Sequence, residues 1–393
     1  MTPPISLAEA QARLLAMAAP LDVEHLPIGQ SIGRHLAAPL IAQRTQPSAD
    51  LSAMDGYAIC GPAPWKLVGE SKGGAPFTGK ITPAEAVRIS TGALMPAGAD
   101  RVLLQENACR RDDNVLLQGK MPAVGAHIRR AGLDFSRKDQ LLGTGTRIGP
   151  AQAALILAAG CPSVDVRRKP AITIIDSGDE LAASPLDCPP YQVPASNGVM
   201  LSAMIQEIPS ETNYLGPVPD SLSALGEAFA RAGASDVIVT SGGASVGDHD
   251  LIRPALEAWG ARIEFWRVAI KPGKPLLVAR RGDQIILGLP GNPVSSFATA
   301  FLFLLPLLRH LSGAATPLPR RYLARAGTDL PASGPRREFL RAVFDGATVT
   351  PVGQQDSSAL RALTNANALI ERPENSGEVK AGTDVPIYLL QNG

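Results

Sequence analysis

VIVTSGGASVGDHD, Val237 to Asp250, is the stretch from which the fold can be read. Val237-Ile238-Val239-Thr240 is a short β-branched run, the composition of a strand buried on both faces in a parallel sheet. It breaks at Gly242-Gly243, then Gly247, and ends in acids. Leu251, Ile252, Ala255, Leu256 and Trp259 follow at helical spacing, which predicts a helix starting near Asp250. Pro254 agrees, because a first turn has no intrahelical partner for the amide hydrogen that proline lacks. Strand, glycine turn and helix N-terminus together make an anion site, with backbone N–H groups and the positive end of the helix facing one way. The same residues also read as an ordinary tight turn with Asp250 as the helix N-cap.

The context for this unit is a chain of 393 residues, 45% hydrophobic and 19% charged, which predicts several globular domains rather than one core. A net charge of +1 argues against nucleic-acid or acidic-membrane binding driven by bulk charge. Cys60, Cys109, Cys161 and Cys188 are scattered with no Cys-x-x-Cys pair, which points to reduced thiols and a cytoplasmic location rather than a disulfide or zinc framework. The N-terminus carries Glu9 and no long apolar run, so no signal peptide is read there. Pro293 to Leu308 is the most membrane-like stretch. It is shorter than the ~20 residues a span needs, contains Pro306, and reads as a buried core helix.

Outward from the central unit, strands and helices alternate. Ala171–Ile175 reads as strand, 198–208 as helix with Val199, Ala203 and Met204 on its inner face, and Tyr214-Leu215 as strand. Residues 220–232 read as helix with Leu222, Leu225 and Phe229 inward. A two-stranded element at 263–277, a strand at 284–287 and the long helix after Asn292 complete a parallel, doubly wound α/β domain over residues 171–313. Residues 42–134 alternate short β runs with Gly and Pro turns and read as an inserted, mostly β domain. It interrupts a helical part formed by residues 1–41 and 135–170, where Ser6 and Glu9 make a capping box and residues 31–37 a second short helix or turn. Residues 314–393 return to β texture.

Open α/β sheets bind ligands outside the carboxyl ends of their strands. Here the first strand runs into Asp176-Ser177-Gly178-Asp179-Glu180, the second reaches Asp220 through Gly-Pro-Val-Pro, and the third enters the glycine loop and Asp250. The strand at 284–287 runs into Pro290-Gly291-Asn292. A basic segment, Arg267 to Lys274 with Lys271 between, faces them in sequence. Carboxylates beside lysines and anion-binding turns point to a phosphorylated ligand carried with Mg²⁺. Asp220 reads equally as the N-cap of its own helix, Glu180 as a turn cap, and the lysines as a solvated face. The inserted domain holds a second polar set: Asp55 in a Gly turn, Thr91, Arg129 and Asp134. Each turn there, taken alone, reads as structural.

SAMDGYA, TGALMPAGAD, IRRAGLDF, SGDEL, SGGASVGDHD, AIKPGKP and GLPGNPVS occur in this order. Together they strongly resemble the molybdopterin molybdenumtransferase family, MoeA in bacteria and the E domain of gephyrin in animals. The α/β domain alone also resembles MogA-like adenylyltransferases, whereas SAMDGYA and the flanking β domains belong to the MoeA type. The resemblance implies a multidomain α/β fold: a MogA-like doubly wound domain, the inserted β domain, the helical N-terminal part and a small C-terminal β-barrel. It implies a homodimer whose active cleft is shared between subunits, and a Mg²⁺-dependent reaction that takes adenylylated molybdopterin and molybdate, releases AMP and yields molybdenum cofactor. It implies partners in a MogA-like adenylyltransferase and in recipient molybdoenzymes.

By motif position, Glu180, Asp220 and Asp250 match the family's acidic residues and metal ligands. Asp55, Asp134 and Lys271 join them as catalytic candidates. Ligand contacts fall to Thr91, Arg129, Ser241, Gly242, Gly243, Ser245, Gly247, Arg267, Lys274, Pro290, Gly291 and Asn292. Arg267 stands where lysine is frequent and His127 where asparagine is common; neither removes a carboxylate. A tungsten-selective paralogue, or a non-catalytic molybdopterin carrier or scaffold, is the alternative expectation.

Overall fold

A computed structural model of the chain describes residues 4–242 and 251–390. Its centre is a six-stranded sheet in the order Glu211–Val218, Ala171–Ser177, Val237–Ser241, Gln284–Leu289, Leu277–Arg281, Arg262–Trp266. The first four run parallel, Leu277–Arg281 runs against them and Arg262–Trp266 turns back again, so the doubly wound sheet expected from sequence carries two antiparallel pairings at one edge. Val237–Ser241 is buried at every residue, as its unbroken β-branched run requires. The chain leaves Ala171–Ser177 toward one edge and returns through Val237–Ser241 toward the other. The switch point therefore lies where these two neighbours end.

Helix faces differ from expectation in two places. In Asn197–Ile205 the buried side is Gly198, Leu201 and Ile205, and Val199 is 68% exposed. Leu222–Arg231 buries Leu225, Ala228 and Phe229, with Leu222 at the exposed first position. Its N-cap is Ser221, whose hydroxyl accepts from Ala224 N, so the cap reading of Asp220 is wrong.

The long helix runs from Pro293–Thr299 through a wider, π-type stretch at Ala300–Leu304 into Leu305–Leu311. Pro306 supplies the reason, since it has no amide hydrogen and its ring collides with the carbonyl four residues back unless the turn widens. Among the described residues this helix is long and apolar enough to cross a membrane, yet 89% of that window is buried inside the protein.

Ser6 caps Leu7–Ala16 as read, accepting from Glu9 N. That helix packs its Leu7, Ala10 and Leu14 into the core beneath the six-stranded sheet, and Gln11 donates to the Leu302 carbonyl. The remainder of the N-terminal part is mixed rather than helical: Val23–Pro27 pairs antiparallel with Ser163–Arg167 beside helix Pro150–Ala158. The short helix precedes its expected position, at Ile28–Ser31.

Close by, His35 is 8% exposed, and burial first, then the charges of Arg147 and Arg309, lower it to about 4 from 6.5. The folded chain thus disfavours the imidazolium. Its contribution to stability is full above pH 6.5 and is lost as pH falls toward 4, about 3 kcal/mol in all. Chemical denaturation at pH 7 and pH 4.5 should show a smaller acid loss in His35→Phe than in the parent. Equal losses would refute the assignment.

The inserted region forms its own six-stranded sheet, with Gly56–Ile59 between Glu85–Ile89 and Arg101–Leu104. Gly56 is obligatory there: a Cβ would lie 2.0 Å from the Leu103 carbonyl oxygen. At the C-terminus, Tyr322–Ala326, Arg337–Phe344, Thr348–Pro351, Ala368–Arg372 and Asp384–Leu389 close into a five-strand barrel, because Arg337–Phe344 pairs with both Thr348–Pro351 and Ala368–Arg372. The short strand Ile270–Lys271 of the α/β region pairs with Arg337 and Glu338 of that barrel.

Candidate functional site at the strand ends

A cavity of about 760 Å³ opens at the switch point. Three strand ends build it: Asp176-Ser177, Ser241-Gly242, and the Pro290-Gly291-Asn292 turn. Glu180 and the first turn of the Asn197 helix complete one side, and Ser358 with Leu360 from the barrel region complete another. Gly242 allows the approach. Its φ of +104° is one that side chains rarely adopt, and a Cβ would sit 2.5 Å from the Ser177 carbonyl oxygen. Gly242→Val should therefore destabilise the strand ends by about 2–4 kcal/mol and remove ligand binding at the cavity. A melting temperature and a calorimetric titration both unchanged from the parent would contradict this.

Asp176 is the buried acid of the site, 1% exposed. One carboxylate oxygen accepts from Gly198 N at 2.9 Å and from the Tyr214 hydroxyl at 3.1 Å. Burial raises its pKa, opposed by those two bonds and by Ser241. Burial first and Asp176 second push the Tyr214 phenol up to about 12. Asn197 donates to Ser241 Oγ at 2.8 Å and to the Gly291 carbonyl at 2.7 Å, which ties two strand ends to one helix. Around this knot, Asp176 Oδ1, Ser177 Oγ, Asn197 Oδ1 and Thr240 Oγ1 are buried without a hydrogen-bond partner among the described residues. Orphaned polar atoms are costly, and the three on residues that line the cavity, Asp176, Ser177 and Asn197, mark a surface shaped for a polar ligand.

The acids Asp179, Glu180 and Asp220 stand on the exposed rim. Asp179 accepts from Asp220 N at 3.1 Å. Partial desolvation first, then the Asp179 and Glu180 charges, hold Asp220 above the usual carboxylate range. A bound cation would relieve that repulsion, so the donor set suits a hard divalent ion. Among the described residues no three His, Cys, Asp or Glu side chains are already grouped for an ion. Asp250, the third acid expected there, lies outside the described residues, as do Gly243, Ser245 and Gly247.

The basic segment runs along the junction with the barrel. Lys271 Nζ bonds Glu338 of the barrel at 3.1 Å, the Arg267 guanidinium lies 4.9 Å from the Trp266 ring centre, and Lys274 is exposed. Pro275, which follows Lys274, lines the cavity.

Of the second polar set, Asp55 and Thr91 are joined directly. Asp55 accepts from Thr91 N at 2.6 Å and Thr91 Oγ1 at 3.0 Å, and these bonds lower its pKa. Arg129 stands opposite Leu51 on a two-stranded ribbon, and Asp134 follows five residues on in an exposed turn. Among the described residues no hydrogen bond or ion pair joins this set to the strand-end cavity of the same chain.

Comparison with known proteins bears on the whole length. Residues 5–160 match the MoeA N-terminal region (domain I and II), 173–310 a probable molybdopterin binding domain, and 323–390 the MoeA C-terminal region (domain IV). The molybdopterin molybdenumtransferase of Haemophilus influenzae is 31% identical, with 98% of each chain covered. The chain belongs to the molybdopterin molybdenumtransferase family. A Nostoc member is 33% identical over 94% of this chain and 89% of its own. The fold agrees with the molybdopterin biosynthesis MoeA protein of Pyrococcus horikoshii at a TM-score of 0.85 and 26% identity, covering 98% of this chain and all of that one. Molybdopterin molybdenumtransferases act in molybdenum cofactor biosynthesis, and family membership carries that role to this chain.

Within the family frame, Asp176 and Asn197 are the site residues that the sequence reading missed. Asp176 looks like one acid in an exposed acidic turn. The signal was its place as the penultimate residue of a strand, in register with Ser241. Asn197 stands just before the helix read over 198–208 and gave no comparable signal.

Proposed function

We propose that this chain is a cytoplasmic molybdopterin molybdenumtransferase that takes adenylylated molybdopterin and molybdate, releases AMP and gives molybdenum cofactor. The observation that supports the reading best is the strand-end cavity, where three lining residues, Asp176, Ser177 and Asn197, hold buried polar atoms with no partner among the described residues, beside a rim of repelling carboxylates. The backbone at Gly242 and Gly291 leaves room for phosphate oxygens, and the amide of Asn197 fixes those turns. Asp176, held largely desolvated, orients the first turn of the Asn197 helix through Gly198 N rather than touching the reacting atoms. Glu180, Asp220 and Asp250 are the residues that would hold Mg²⁺, which when bound supplies polarisation of the phosphoryl group and offsets its charge. Molybdate is cargo, and Arg129, Lys271 and Lys274 are the cations that would attract it. The unpaired state of Cys60, Cys109, Cys161 and Cys188 supports the cytoplasmic assignment.

We further propose that the Asp55–Thr91–Arg129–Asp134 set completes the cleft of a second copy in a homodimer, and that a MogA-like adenylyltransferase and recipient molybdoenzymes stand before and after this step. The test is direct. The purified chain, incubated with adenylylated molybdopterin, Mg²⁺ and molybdate, should release AMP in step with cofactor formation. Binding of the substrate with no AMP released would leave a carrier and overturn the reading.

A further inference from the structure

A second cavity, of about 720 Å³, opens between the turn at Gly33–His35, the segment Gly145–Arg147 and the end of the core helix. It shares no lining residue with the strand-end cavity. Its walls carry His35, Arg147 and Arg309, with Glu207 as the acid among them. Arg309 is half-buried in the last turn of the helix, and Arg147 is exposed. Among the described residues neither guanidinium makes a hydrogen bond or ion pair. Glu207 is felt by Arg309 at a distance, while burial lowers the Arg309 pKa. His35 forms the back wall, and its Nδ1 is buried without a partner.

This arrangement is electrostatically unbalanced. A helix C-terminus accounts for one cation near its last turn. It does not account for a second guanidinium brought against the same cavity from a different part of the chain, and the one acid there, Glu207, offsets the charge of one guanidinium at most and bonds neither among the described residues. The histidine adds no positive charge at neutral pH, so the two forks are the cationic groups on offer, and planar forks match oxyanions two bonds at a time.

We propose that this cavity binds a tetrahedral oxyanion, inorganic or the end group of a phosphomonoester, between Arg147 and Arg309 with His35 behind it. A ligand held there bridges the 135–170 segment and the α/β region, and it sits apart from the strand-end chemistry.

His35 is the local reporter. Inorganic phosphate is titrated into the full chain at low ionic strength, where screening is weak, while the His35 ring is followed by NMR and assigned by its loss in His35→Phe. The expected result is a saturating shift of that signal at millimolar phosphate or below, with the ring pKa rising from about 4 as the two cations are neutralised. Arg147→Gln, at an exposed position, should weaken binding about tenfold or more, and Arg309→Gln should do the same where it folds. Ribose 5-phosphate is the second arm. Tighter binding than phosphate assigns the site to organic phosphates, and equal or weaker binding assigns it to inorganic oxyanions. A His35 signal unmoved at about 10 mM phosphate, or one that moves equally in Arg147→Gln, overturns the proposal.

Discussion

Asp220→Ala is expected to lower AMP release by a hundredfold or more while leaving the melting temperature within a degree or two of the parent, on the order seen when metal-site partners are lost. The separation is possible because Ser221, not Asp220, caps the following helix, so removing the carboxylate leaves the Ala224 amide satisfied. What the carboxylate does instead is sit beside Asp179 and Glu180, at a cost in repulsion that folding alone would not select. Relief of that repulsion should even stabilise the metal-free variant slightly. Mg²⁺ titration supplies the second readout: the parent's dependence should be saturable, and the variant's shifted to much higher concentration. Parent-like turnover with the same Mg²⁺ midpoint would remove Asp220 from the metal site.

The second large effect is a recovery. Asp55→Ala and Asp220→Ala homodimers should each be nearly inactive, the first for want of the Asp55–Thr91 set and the second for want of the rim acid. Mixed with subunit exchange, they should regain about a quarter of wild-type activity. Half of the dimers are then heterodimers, and each has one cleft with both halves intact. The basis is that among the described residues no hydrogen bond or ion pair connects the two polar sets within one chain. A cleft built inside one subunit predicts no recovery at all. Heterodimers visible by native mass spectrometry in an inactive mixture would end the shared-cleft proposal.

The architecture was legible wherever a residue's own chemistry determined its environment. Val237–Ser241 needed burial on both faces, Gly242 needed a positive φ, and Ser6 needed a donor three residues on; each found it. What stayed hidden were pairings between distant segments. Val199 and Leu222 sit at helical spacing with buried neighbours, but which side faces the sheet depends on where the helix lands. Lys271 gives no sign in sequence that its ion-pair partner within the chain, Glu338, lies 67 residues away. Asp176 is the instructive case in the site, since an acid followed by Ser-Gly-Asp-Glu reads as solvated until the sheet register sets it against Ser241 and Tyr214.

The junction between the sheet and the barrel has a consequence for cooperativity. Phe339, Leu363, Leu369, Tyr388 and Leu390 of the C-terminal region lie in the same buried cluster as Ile174, Val239 and Leu287 of the central strands. Backbone pairing at Ile270–Lys271 and the Lys271–Glu338 ion pair stitch across it. Two units by topology are therefore one by thermodynamics. A fragment ending at Gly313 would expose half of an apolar interface and open the wall that Ser358 and Leu360 give the cavity, so it should be recovered as an aggregate rather than as a smaller binding domain. In scanning calorimetry the α/β region and the barrel should melt in a single transition, with the inserted β domain, which has cores of its own, free to melt separately.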